Sequence, residues 1–265
     1  MLYAVVPACN EGERITRVIL TLLAVPVDKV VVVVNGSTDD TLEKVRGFPL
    51  QRVKPLFFPE PLGHDVPRAV GALYARRYGA RGVLFVDGDM AAIPVRPLRR
   101  LKEAVLNQGV DLALTDCYPP QAPPPPSPVT QRLLFFRQQL NLLLGMEHLG
   151  SASPSHGPLA VSHRFLEKVP LEELAVPPVI LVYAARAGLR VEVVTSIPHK
   201  LLGSPSRGKL HSTLIAATII GDYLEAIALA TGRPRSRKQE GVYYDGYHSS
   251  RRWDLLRRFS AQEIT

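Results

Sequence analysis

The sequence predicts one α/β domain, with a mostly parallel central sheet flanked by helices and a helical, basic C-terminal extension. Three observations carry that expectation. Over the first hundred residues, short apolar runs alternate with stretches of helical periodicity, the pattern of parallel strands joined by crossover helices. The run at residues 29–34 is almost unbroken valine, as a strand buried on both faces requires. Three of the apolar runs end in polar clusters, at the strand ends where open parallel sheets collect ligands.

In order along the chain, residues 2–6 form a short apolar run ending at Pro7. A helix is expected over 13–23, where Ile15, Val18, Ile19 and Leu22 recur at helical spacing. The valine run stops at Asn35-Gly36, and Ser37-Thr38-Asp39-Asp40 supplies capping chemistry for a helix through Val45. Residues 53–58 read as a third strand, 66–78 as a helix, and 82–86 as a strand ending at Asp87-Gly88-Asp89. From Pro119 to Pro128 there are seven prolines, which predict a stiff extended loop before a helix over 130–144. A second α/β stretch follows, helix 177–187 and strand 190–194. The chain therefore divides at 1–115, 116–231 and 232–265. The last segment has eight Lys/Arg against four Asp/Glu, half of the net charge of +8.

Apolar residues at 46% and charged ones at 21% exclude a disordered chain. The positive balance fits an anionic partner. Nucleic acid is set aside, because no binding motif is present and the cations outside the tail are scattered. Two cysteines, Cys9 at an expected buried strand end and Cys117, lack disulfide or metal spacing and read as reduced thiols in a cytoplasmic protein. The N-terminus has no basic n-region or cleavage site, so no signal peptide is expected. The apolar stretch 214–230 contains Asp222 and Glu225 and reads as a buried or interfacial helix. The basic-aromatic run around Trp253 leaves peripheral contact with an anionic membrane open, and a homodimer is equally open.

The chemistry concentrates at Asp87-Gly88-Asp89. Two carboxylates one residue apart at a strand end can aim at one hard cation, Mn²⁺ or Mg²⁺, which keeps positions open for diphosphate oxygens. Taken with AVVPACNEGERI, VVVVNGSTDDT and GVLFVDGDM in that order, residues 1–115 resemble the nucleotide-binding half of family-2 glycosyltransferases, which have the GT-A fold. The resemblance implies a nucleoside diphosphate sugar of UDP or GDP type as donor and a hydroxyl acceptor, and the positive charge is compatible with a phosphorylated acceptor, soluble or lipid-linked. It implies nucleotide and donor contacts from Pro7, Ala8, Asn10, Glu11, Asn35, Ser37, Arg68, Asp87 and Gly88, and metal ligation by Asp87 and Asp89, with Asp89 catalytic. Where the family's second segment carries Asp-Asp, this chain has Val34-Asn35, an amide that donates as well as accepts.

The second half resembles the family less. Ser155, His156 and Gly157 fall in the segment forming the acceptor side. The acidic pair that serves inverting members as general base is replaced by Val176-Pro177-Pro178, which leaves Glu172, Glu173, Asp65 or a histidine as base, or a retaining reaction that needs none. Small retaining GT-A enzymes such as the glucosyl-3-phosphoglycerate synthases are then the nearer resemblance, and it implies His199 as a third metal ligand. Arg207 and Lys209, in residues 202–209, read as a basic lid or a plain loop. Two other readings stay open: a catalytically silent nucleotide-binding module, and a nucleotidyltransferase, which the missing glycine-rich phosphate loop disfavours.

Overall fold

Period-two alternation of buried aliphatic residues builds the sheet and assigns each helix to a face. A computed structural model describes residues 1–119, 127–205 and 208–261. In chain order the elements begin β1 (Leu2–Ala8), α1 (Gly12–Leu23), β2 (Lys29–Asn35), α2 (Thr41–Arg46), β3 (Val53–Phe58) and α3 (Val66–Arg77). They continue β4 (Gly82–Phe85), α4 (Val95–Asn107), β5 (Leu112–Asp116), α5 (Pro128–Leu143), β6 (Leu159–Ser162), α6 (His163–Lys168), α7 (Pro177–Arg186) and β7 (Val191–Ser196). The chain ends with α8 (Lys209–Ala230), the short strands β8 (Lys238–Gln239) and β9 (Val242–Tyr243), and α9 (Trp253–Ala261). The seven-stranded sheet has the order β3-β2-β1-β4-β6-β5-β7.

Only β6 runs against the others, pairing antiparallel with both β4 and β5. This matters for function. The carboxyl ends of β1, β2, β4, β5 and β7 share one edge of the sheet, and the amino end of β6 joins them, since Leu159 stands opposite Phe85. Leu2, Ala4 and Val6 pack with α1 and α4 on one face, while Tyr3 and Val5 pack with α3, α7 and α8 on the other. Val30, Val31, Val32, Val33 and Val34 are all fully buried, each worth roughly 1.5–2 kcal/mol of apolar burial.

Several boundaries differ from expectation for physical reasons. Strand β1 continues through Pro7 to Ala8, because β4 ends opposite Val5 and no strand there needs the missing N–H. Asp40 takes the N-cap position of α2 without a side-chain capping bond, its carboxylate pairing with Lys44 instead, while Asp39 accepts the Thr41 N–H at 3.0 Å. Cys9 is exposed, not buried at the strand end. The proline-rich stretch lies mostly outside the described residues, as does Arg207.

The tail does not extend into solvent. Arg252 N–H donates to Leu62 O at 2.8 Å, and Phe259 of α9 packs edge-on against Phe58 at 6.0 Å under the Arg77 guanidinium. Arg235 pairs with Glu173 and Glu225, Arg237 with Asp222 and Glu225, Arg251 with Asp222, and Arg252 with Glu60 and Asp254. Half of the tail's eight cations are thus matched to carboxylates of the chain. Helix α8 is long and apolar enough by composition to span a membrane, but half of its most apolar window is buried and it packs on α5 and α7.

Candidate active site

The loops at the carboxyl edge are joined first by neutral hydrogen bonds. Asn10, in the left-handed region at φ 55°, accepts from Thr38 N–H at 2.8 Å through Oδ1, and its own N–H donates to Ser37 Oγ at 3.1 Å. Non-glycine residues rarely take that conformation, so the contact holds a strained backbone. Glu11 is buried, and its N–H donates to Thr41 Oγ1 at 2.8 Å. Burial works against the Asp39 carboxylate, yet bonds from Thr41 and Gly12 bring its pKa below the usual carboxylate value. Pro7 and Ala8 end β1 beside these loops, and Gly88 fits over them because a Cβ there would stand 2.9 Å from Pro7 O.

Asn35, expected among the nucleotide contacts, bonds the chain between β3 and α3. Its Oδ1 accepts from Leu62 N–H at 2.5 Å, and its Nδ2 faces Gly63 O at 3.4 Å. Both ends of the amide therefore hold the loop leading into α3. Gly63 in that loop sits at φ 86°, where a Cβ would meet Ser250 O and lie 2.7 Å from Arg251 Cα. Only glycine lets the tail approach so closely.

Arg68 is buried and reaches both oxygens of Asp87 at 2.7 Å, while its Nη1 donates to Pro154 O at 3.2 Å. The Arg68 guanidinium, expected among the nucleotide and donor contacts, thus holds Asp87. Asp65 lies 3.5 Å from Arg68 and 3.6 Å from Arg251, and His64 is 3.2 Å from Asp65. A line of alternating charge runs from Asp87 through Arg68, Asp65, Arg251, Asp222, Arg237, Glu225 and Arg235 to Glu173. Glu173, an expected base, is at the far end of that line with both oxygens on Arg235, and Glu172 accepts from Ser260. Neither joins the cluster around Asp87.

Ahead of β6, Ser153, Ser155 and Tyr223 share a hydroxyl cluster, with Ser153 Oγ against Tyr223 OH and 2.8 Å from Ser155 Oγ. His156 Nε2 is 3.1 Å from His199 Nδ1, and the Tyr118 ring stacks on both imidazoles at 5.6 and 5.8 Å. Burial, with Arg137 nearby, pushes both histidines below their ordinary pKa, His156 well below, so both are neutral at pH 7. Gly157 lies over Cys117, where a Cβ would be 2.7 Å from Sγ.

The turn after β7 docks His199 beside the Asp87 loop: His199 N–H donates to Cys117 O at 3.0 Å, and Leu202 O accepts from Ala92 N–H at 3.2 Å. Asp89 and Asp87 are both partly exposed there. Asp87, Asp89 and His199 reach the same edge without closing into one ready-made ligand set. Among the described residues, the one trio of ligand atoms within 4.8 Å of one another is Asp222, Glu225 and His248, and Arg237 and Arg251 already neutralise it.

Sequence reasoning missed Tyr118, Arg137, Tyr223 and Arg251. Arg137 carried a signal: it falls on the apolar stripe of α5 with Phe136 and Leu140, where a charged residue is out of place.

A parallel sheet with an acidic Asp-x-Asp at the end of β4, a bridging antiparallel β6 and polar loops on one edge define a GT-A fold. The profile of glycosyl transferase family 2 matches residues 3–156, more than half of the chain, and the chain belongs to that family of glycosyltransferases. No curated protein sequence matches. Among solved structures, the fold is similar to glucosyl-3-phosphoglycerate synthase from Mycobacterium tuberculosis. Its complex with Mn²⁺, UDP and glucosyl-3-phosphoglycerate gives a TM-score of 0.63 at 21% identity over 89% of this chain and 82% of that one. Its complex with Mn²⁺, UDP-glucose and phosphoglyceric acid gives 0.63 at 19% over 89% and 81%. The complex with Mg²⁺ and UDP gives 0.63 at 21% over 89% and 81%.

Proposed function

We propose that this glycosyltransferase moves a sugar from a nucleoside diphosphate sugar to a hydroxyl acceptor, with Mn²⁺ or Mg²⁺ held chiefly by Asp89. The observation that carries the reading is the convergence of Asn10, Ser37, Asp87, Asp89, His156 and His199 on one sheet edge. Hard carboxylate oxygen at a partly exposed strand end, with an imidazole kept neutral, suits a hard divalent cation. When bound, the ion acts as a Lewis acid toward charge on the departing diphosphate. The chain's own residues do the positioning. Asn10 and Ser37 fix the nucleotide loops, Arg68 orients Asp87, and Ser155, His156 and Gly157 form the acceptor wall. The M. tuberculosis structures, solved with UDP or UDP-glucose, support a uridine donor.

The commitment of Glu172 to Ser260 and Glu173 to Arg235 favours retention of anomeric configuration, which needs no carboxylate base at that place. Calorimetric titration with UDP, GDP and ADP, each with and without Mn²⁺, tests the reading. Metal-dependent binding of one nucleotide is expected; absence of binding by any of them, in folded protein, sinks it and leaves a silent module.

A further inference from the structure

Helices α5 and α8 pack on each other and leave an open groove of about 790 Å³ between them, bounded on a third side by residues 231–239. The α5 wall carries Phe135, Leu142 and Leu143, which are 53%, 55% and 46% exposed. The α8 wall carries the half-buried Leu224 and Ile227. A helix that packs one face on a core ordinarily turns polar residues outward. Here three large apolar side chains face out beside an apolar groove. A contiguous apolar surface with a polar rim marks a contact with another molecule or with a membrane.

The charge of the rim identifies the partner. Neither α5 nor the stretch 226–239 contains an acidic residue. Arg132, Arg233 and Lys238 are exposed, and among the described residues none of them pairs with a carboxylate. Arg132 lies over the Phe136 ring of the groove and donates to the Tyr244 hydroxyl at 2.6 Å, and Arg233 donates to Thr231 Oγ1 at 2.9 Å, both neutral partners. The other two cations of the third side, Arg235 and Arg237, do not line the groove and are held by carboxylates. The unmatched charge is therefore the charge that borders the groove. A second copy is a poor occupant. A twofold contact sets one surface against itself, so these cations would meet walls that hold no carboxylate. An anionic bilayer supplies both missing parts: phosphate oxygens for the rim, and a hydrocarbon boundary for the apolar side chains.

We infer that the groove between α5 and α8 is a membrane-docking surface. Phe135, Leu142 and Leu143 enter the headgroup boundary of an anionic bilayer, and Arg132, Arg233 and Lys238 meet its lipid phosphates. The basic-aromatic run of the tail is not the contact, because α9 is folded against Phe58 and Arg77. The inference is independent of the donor and acceptor readings, since none of these residues stands on the sheet edge that carries Asp87 and His199.

The full chain is mixed with phosphatidylcholine vesicles, with and without phosphatidylglycerol, and bound protein is read by flotation. Wild type is expected to bind the phosphatidylglycerol vesicles alone, and less as salt rises. Phe135→Ser with Leu142→Ser tests the apolar part, and Arg233→Glu with Lys238→Glu the charged part. Each pair should weaken binding by about tenfold or more, since one cation near an anionic surface is worth roughly fivefold. All four positions are exposed, so Tm should stay at the wild-type value. Arg257→Glu with Arg258→Glu makes the same charge change on exposed residues of α9 and should bind close to wild type. Equal binding to both kinds of vesicle, or to neither, overturns the inference. So does an equal loss in the α9 pair, which would mean a general attraction of a cationic protein. Sedimentation velocity reads the other occupant: a dimer in solution that Phe135→Ser with Leu142→Ser splits gives the groove to a second copy and overturns membrane docking.

Discussion

The amino-terminal loops and the carboxyl-terminal tail meet at the same site and are held by opposite means. In the loops, neutral side chains bond backbone groups of the neighbouring loop: Asn10 to Thr38, Thr41 to Glu11, Asn35 to Leu62. In the tail, buried guanidinium groups bridge carboxylates far away in sequence, as Arg251 does with Asp222 and Asp65. Hydrogen bonds of the first kind are each worth about 1 kcal/mol net, and loss of one is tolerated. A buried ion pair contributes little net stability, but losing one partner strands the other charge at high cost. The loops are therefore robust and the tail is brittle.

The largest effect expected is at Arg251. Arg251→Ala leaves Asp222 buried without one of its two guanidinium partners and should cost about 3–5 kcal/mol in urea unfolding. Arg251→Met with Asp222→Leu should recover part of it. If the single substitution costs under 1 kcal/mol, the contrast between tail and loops fails. The same clamp should weaken in acid. Burial by itself would raise the pKa of Glu225, but Arg237 and Arg235 overcome it and the folded value lies below the unfolded one. Its contribution is then present above the unfolded value of about 4.3 and lost as pH falls through the folded value. Urea midpoints at pH 7 and pH 3.5 should diverge more for wild type than for Glu225→Gln.

Next comes Asp89→Ala, which separates function from fold in the robust region. Metal-dependent UDP affinity should fall by about 100-fold, roughly 3 kcal/mol, with Tm within a degree or two of wild type. A variant that unfolds instead would make Asp89 a structural residue.

The same contrast explains what was legible in the sequence. Asn10, Ser37, Asp87 and Asp89 sit directly after apolar strand runs, so their arrival on one edge follows from the parallel sheet. Strand β6 was hidden because four residues, Leu159–Ser162, carry no period long enough to reveal direction. Its antiparallel course is what brings Ser155, His156 and Gly157 to that edge. Arg251 and Asp222 are 29 positions apart, and nothing in either neighbourhood marks the partner. Asn35 was legible in place, but its hydrogen bonds were not. It stands at the end of β2, where a base contact is expected, yet both ends of its amide hold residues 62 and 63. Asn35→Asp removes the Nδ2 donor and sets a charge against Gly63 O, so a loss of about 1–2 kcal/mol is expected. Unchanged stability with altered nucleotide preference would return Asn35 to the base.

The smallest effect is kinetic, and it reports on both regions at once. Cys9 is exposed in the first loop, and Cys117 is buried under Gly157 with its thiol pushed up to about 12 by burial. The thiolate is the nucleophile, so at pH 8 the buried group offers roughly a thousandfold less of it than an ordinary cysteine, before access is counted. Iodoacetamide should therefore modify Cys9 and spare Cys117 in the folded protein, and modify both in urea. UDP with Mn²⁺ should slow the reaction at Cys9 if residues 7–11 line the nucleotide. Rapid modification of Cys117 in folded protein would mean that Gly157 lifts away from it, and the segment before β6 would then belong with the brittle region rather than the robust one.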